Sequence, residues 1–118
     1  MTTEKQIADL TNEFKNMQKI LIALGDETRQ HLILEMMQMG NCSGARVGEI
    51  TERTNLSRPA VSHHLQILKD AGIIKMRREA TRNYYYFDVD TKEIDSLITM
   101  LLHTKKIMQN IHLKTNND

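Results

Sequence analysis

Apolar residues recur at helical spacing at both ends of the chain and at strand spacing in one place only. Ile7, Leu10, Phe14, Met17, Leu21 and Leu24 alternate steps of three and four, which sets all six on one helix face. Thr3 with Gln6 three residues on makes a capping-box pattern for that helix, and Gly25 ends it. Asp26 is placed to cap a second helix reaching about Met39, with Leu32, Ile33 and Met36 inward. Gly40-Asn41-Cys42-Ser43-Gly44 reads as a loop. A short helix over about 46–54 turns Val47 and Ile50 inward, and Asn55-Leu56 makes a tight turn. Ser57 caps the next helix, Pro59 falls in its first turn, and Val61, Leu65 and Leu68 share a face. Gly72 stands at the left-handed C′ position, which places Ile73 against Leu68.

From Ile74 the period becomes two. Ile74 and Met76 alternate with Lys75 and Arg77, and Tyr85, Phe87 and Val89 alternate with Tyr84, Tyr86 and Asp88. The two runs, joined by Glu79-Ala80-Thr81-Arg82, predict a β-hairpin with a basic tip. Asp90 with Glu93 caps a last helix whose main stripe is Ile94, Leu97, Ile98, Leu101, Met108 and Ile111. Met100, Leu102 and Ile107 lie off that stripe.

Composition narrows the class. A chain of 118 residues, 40% hydrophobic and 26% charged, can form one ordinary domain over 1–118. One Pro and five Gly are few for an all-β protein, so the expected fold is mainly α with a small β-hairpin. Eight Met against 4% aromatics leave Met, Leu and Ile to fill the core. The lone Cys42 cannot form an internal disulfide, the first residues are polar, and no apolar run approaches the ~20 residues of a membrane span. A cytoplasmic protein with no membrane partner is expected. Charge is segregated: Arg53 to Asn83 holds seven positive and two negative side chains, +5 in a chain of net +1, which leaves −4 elsewhere. A basic middle between acidic arms suits a polyanion.

Two short helices joined by a tight turn and followed by a basic hairpin make a winged helix-turn-helix. Val47-Gly48-Glu49-Ile50, Leu56-Ser57, Val61-Ser62-His63-His64-Leu65, Leu68 and Ala71-Gly72-Ile73 together resemble the ArsR/SmtB family of bacterial winged-helix transcriptional repressors. Leu24-Gly25-Asp26-Glu27-Thr28-Arg29 resembles the start of that family's second helix, and Arg77-Arg78-Glu79 with Tyr84-Tyr85 resembles its wing. The likeness covers about Leu24 to Val89. It implies a homodimer through the first and last helices (1–24 and 90–113), a helix-turn-helix over 46–72 and a wing over 73–89. Ala80 departs from the glycine usual after the wing glutamate, which touches the geometry of the tip.

The helical wheel agrees with that resemblance. With Val61, Leu65 and Leu68 buried, Pro59, Ser62, His63 and Gln66 point the other way and Ala60 lies at the flank. Hydroxyl, imidazole and amide groups on such a helix can read base edges in a major groove. Arg58 at the helix start can reach a phosphate or a guanine, and the resemblance also implies base contacts at Arg58, Ala60, Ser62 and His63. His64 lies nearer the buried face and reads as a structural histidine, with DNA contact the alternative. Arg77, Arg78 and Arg82 are the expected wing contacts to phosphate or minor groove.

The metal sites of the family are not matched. Arg46 and Gly48 stand where a Cys-x-Cys would be, and Asp95-Ser96-Leu97 lacks the histidine of Asp-x-His. His103 and His112 are nine residues apart, on opposite sides of one helix at about 100° per residue. No nucleophile, base or glycine-rich phosphate loop points to catalysis, so no enzyme, cofactor or metal is expected. The expectation is a sequence-specific repressor that binds an inverted repeat in double-stranded DNA as a homodimer, its inducer unspecified. The alternatives are a metal- or thiol-responsive sensor of the same fold using Cys42, and a winged-helix protein-interaction module without DNA binding.

Overall fold

The computed structural model describes residues 3–40 and 43–116. Six helices and one hairpin follow in order: α1 Thr3–Asn16, α2 Gln18–Leu24, α3 Glu27–Met39, α4 Val47–Glu52, α5 Arg58–Asp70, β1 Ile74–Glu79, β2 Arg82–Phe87 and α6 Lys92–Asn116. The chain falls into two compact units, residues 19–93 and residues 1–18 with 94–118.

The first unit holds the helix-turn-helix and the wing. Asp26 caps α3, its side chain accepting from the Arg29 amide at 3.0 Å. Ser57 caps α5 by accepting from the Ala60 amide at 3.3 Å, and Pro59 sits in the first turn where its missing N–H costs nothing. At the other end of α5, Gly72 N–H donates to Lys69 O (3.0 Å) and Ile73 N–H to Leu68 O (3.1 Å). That is the Schellman pattern, with Gly72 at φ 80°. A Cβ there would lie 2.5 Å from Glu93 Cγ, so a larger residue would also have to push that side chain aside. Ile20, Leu32, Ile50, Val61, Leu65, Leu68 and Ile74 are essentially sealed from solvent. Each contributes roughly 1.5–3 kcal/mol by leaving water.

The wing pairs Ile74 with Phe87, Met76 with Tyr85 and Arg77 with Tyr84, and closes through Ala80 and Thr81. Ala80 takes φ 55°. Tight two-residue hairpins need a positive φ at the first loop position, and here a residue with a Cβ supplies it. Ala45 adds a third strand in miniature, exchanging two 2.8 Å backbone bonds with Tyr85. The strand ends at Phe87, so Val89 is not on the inner face as its alternation predicts; it is 92% exposed. Asp88 is the reason, since its carboxylate accepts from the Asp90 amide and its carbonyl from Thr91, which turns the chain. The Asp90 amide bond is also the main cause that holds the Asp88 carboxyl below the usual carboxylate range. The last helix therefore starts at Lys92, two residues past the expected cap Asp90.

The second unit comprises α1 and most of α6. The single helix expected to Leu24 is interrupted at Met17. The Phe14 carbonyl accepts from Met17 N–H (3.2 Å) and from the Gln18 side-chain amide (3.0 Å), which tightens and closes the first helix. Glu13 Oε1 accepts from His103 Nδ1 at 2.7 Å and ties α1 to α6. The buried residues here are Met17, Met100 and Ile107, whereas Ile98, Leu101, Met108 and Ile111 of the expected main stripe are exposed. No helix among the described residues is long and apolar enough to cross a membrane.

Candidate nucleic-acid interface

The sequence-predicted site residues gather on α5 and on the wing. With Val61, Leu65 and Leu68 sealed inside, Arg58, Pro59, His63 and Gln66 are exposed while Ala60 and Ser62 are half-buried at the margin. Gln66 Nε2 donates to Asp70 Oδ1 at 2.9 Å, which leaves its carbonyl oxygen as the outward acceptor. His63 carries an exposed ring whose centroid is 5.6 Å from that of His64.

The three wing arginines differ. Arg77 is the most committed: its Nε donates to Glu79 Oε1 at 3.0 Å, and its guanidinium lies 4.8 Å from the Tyr84 ring and 5.9 Å from the Tyr86 ring. Arg78 Nε donates to the Ala80 carbonyl at 3.2 Å, inside the tip it would extend from. Arg82 is exposed and makes no ion pair among the described residues. The wing thus presents one uncommitted arginine, one lightly tied and one stacked.

Arg58 and Arg82 line a common polar cleft of about 360 Å³ between the starts of α4 and α5 and the tip of the wing. Arg46 lines the same cleft, a place that its position in the sequence does not signal. Its backbone N–H (3.1 Å) and Nε (3.3 Å) both donate to Glu49 Oε1. The amide bond first, and the guanidinium next, hold the Glu49 carboxyl below its usual value. Where the family's thiolate pair would converge there is an Arg–Glu pair and a glycine, and this donor set does not fit a metal. Among the described residues no three His, Cys, Asp or Glu side chains converge as a metal site would need. Cys42 lies outside the described residues.

His64 is half-buried, as its position on the wheel predicts. Its Nδ1 lies 3.2 Å from Nη1 of Arg29. Arg29 is only 7% exposed, and it also donates to the carbonyls of Ala23 (2.9 Å, from Nε) and Ile22 (2.9 Å, from Nη2). Nothing in the spacing of charges signals a buried arginine here; only its place after Asp26 in the family-like segment does.

A helix-turn-helix whose second helix shows a polar face beside a basic hairpin is a winged helix-turn-helix, the architecture of DNA-binding transcriptional regulators. The profile of the bacterial regulatory protein, arsR family, matches residues 26–76. An uncharacterized HTH-type transcriptional regulator of Methanocaldococcus jannaschii is 37% identical over 90 residues, 75% of this chain and 98% of that one. The transcriptional repressor SdpR of Bacillus subtilis is 32% identical over 87 residues, 74% of this chain and 90% of its own. The solution structure of a homodimeric winged helix-turn-helix DNA-binding domain from Mycobacterium bovis shares the fold, with a TM-score of 0.52, 19% identity and 92% of each chain covered. The chain belongs to the ArsR family and is a DNA-binding transcriptional regulator.

Proposed function

We propose that the chain is a repressor that binds an inverted-repeat operator as a homodimer, in the cytoplasm and without enzymatic chemistry. The observation that carries this reading is the polar face of α5 beside Arg58 and Arg82, two exposed arginines without ion pairs among the described residues. Ser62, His63 and Gln66 would read base edges, with Pro59 and Ala60 in contact at the groove wall. Arg58, Arg78 and Arg82 would hold phosphates, with Arg77 the weakest wing contact because it is already stacked and paired. Exposed Ile98, Leu101, Met108 and Ile111 on α6, with Ile7 and Phe14 on α1, offer the apolar surface for the second copy. Two α5 helices about 34–36 Å apart would then meet successive major grooves. SdpR and the homodimeric M. bovis domain support the repressor and dimer parts of this reading.

The test is titration of operator recovered by genomic footprinting against random duplex, over a range of salt. His63→Ala should cost about 1–3 kcal/mol on operator and much less on random duplex. Arg82→Ala should weaken both duplexes alike and reduce the magnitude of the salt slope by about 1, and Arg77→Ala should do less. Equal losses for His63→Ala on both duplexes would remove base reading from α5.

A further inference from the structure

Arg29 and His64 form a polar contact between elements that the DNA-reading face does not use. Arg29 stands in the first turn of α3, and its guanidinium donates to the Ile22 and Ala23 carbonyls near the end of α2. Those carbonyls have no further helical turn to bond, so the guanidinium serves as the C-terminal cap of α2. The same guanidinium reaches across to α5 and meets His64 Nδ1. One buried charge therefore joins three helices.

A guanidinium has five donors and no acceptor. The Nδ1 atom that faces it must therefore offer a lone pair, and the ring proton must sit on Nε2. The contact exists only with neutral imidazole: an imidazolium would set Nδ1–H against N–H and positive charge against positive charge.

We propose that His64 is a positioning residue for operator binding, which as neutral imidazole fixes the pose of the DNA-reading helix against Arg29 and which gives up that contact when protonated. The proposal rests on the reading of α5 as the DNA-reading helix. His64 and His63 are adjacent, so a ring that leaves Arg29 disturbs the side chain next to it on the reading face.

The surroundings agree. Burial pushes the His64 imidazole below its ordinary value of 6.5; the Asp26 carboxylate pulls the other way, and Arg29 and then His63 add to the fall. Asp26 at the cap of α3, Arg29 within α3 and His63 on α5 are the titratable and charged groups that face the ring. A folded value below the unfolded one means that the stability from this contact is whole above the ordinary value. It is lost as pH falls through the folded value.

The test compares the parent with His64→Asn, whose side-chain oxygen can accept from Arg29 at the place of Nδ1 and cannot titrate. Imidazole nitrogen NMR of the full chain without DNA should show His64 with its proton on Nε2 and a midpoint below the ordinary histidine value. Operator recovered by footprinting should bind parent and variant within about twofold at pH 7.5. As the pH falls from 7.5 to 5.5 the parent should lose affinity severalfold relative to the variant, because protonation removes the Arg29 contact in the parent only. Because the other four histidines are common to both proteins, the ratio isolates His64. A proton on Nδ1, a flat ratio, or a parent that binds more tightly than the variant in acid would overturn the proposal alone. A parent that binds no duplex at pH 7.5 would overturn the reading of α5 and the proposal with it.

Discussion

The two units of the chain bury their apolar residues in different proportion. In residues 19–93 Ile20, Leu32, Ile50, Leu65, Leu68 and Ile74 close over one another at 2% exposure or less, while Ile22, Leu34, Met37 and Val89 stay exposed. Among the described residues of the α1/α6 unit only Met17, Met100 and Ile107 are buried, while Ile7, Phe14, Ile98, Leu101, Leu102, Met108, Ile111 and Leu113 face solvent. One unit completes its own core. The other leaves most of its apolar surface open, as the proposed homodimer requires, and on α6 the change occurs within one residue, from Met100 at 0% to Leu101 at 51%. Local packing and association are therefore separable here by substitution.

The largest effect should come from the closed unit. Leu65→Ala opens a cavity under α5 and should cost about 2–5 kcal/mol in urea unfolding. A loss under 1 kcal/mol would mean that the unit is more plastic than its burial states. Next comes the open unit: if exposed Leu101 lies in the proposed dimer interface, Leu101→Glu should weaken dimerisation by about 3 kcal/mol, because a carboxylate would enter that interface twice. Sedimentation at micromolar concentration should then show monomer, while the thermal transition of a dilute sample hardly moves. Joint loss of assembly and fold would erase the contrast.

A smaller effect, of opposite sign, is expected at the wing. Ala80 holds φ 55° at an exposed turn, where glycine would relieve strain. Ala80→Gly should raise stability by up to about 1 kcal/mol. A decrease would show that the turn is held by more than its backbone. The smallest effect is a predicted absence of response. Arg46 and Gly48 cannot bind as thiolates do, and His103 is already paired with Glu13. Chelator or stoichiometric zinc should leave operator affinity within about twofold. A tenfold loss with zinc, abolished in Cys42→Ser, would make the chain a sensor instead.

Much of the closed unit was legible because its signals are local. Asp26, Ser57, Pro59 and Gly72 each act on the backbone within a turn or so of themselves, and the wheel of α5 needs only the spacing of Val61, Leu65 and Leu68. The hairpin followed from its period of two. Features that depend on distant partners were not legible. The bond of Arg29 to His64 spans 35 residues, and the bridge from Ala45 to Tyr85 depends on where the wing folds back. Periodicity found the apolar surface of α6 but could not tell which part the chain itself would cover. Its widest stripe stayed open, and the off-stripe Met100 and Ile107 went inside. At the candidate site, the face of α5 was readable, while the stacking of Arg77 and the place of Arg46 in the cleft were not.

The wing has an optical consequence. The chain has no tryptophan, and its three tyrosines are Tyr84, Tyr85 and Tyr86, consecutive on β2. Tyr85 is buried, and Tyr84 and Tyr86 lie against the Arg77 guanidinium. All intrinsic tyrosine emission of this regulator therefore originates from one strand of the wing. A change in its intensity reports the immediate surroundings of that strand, with no label attached.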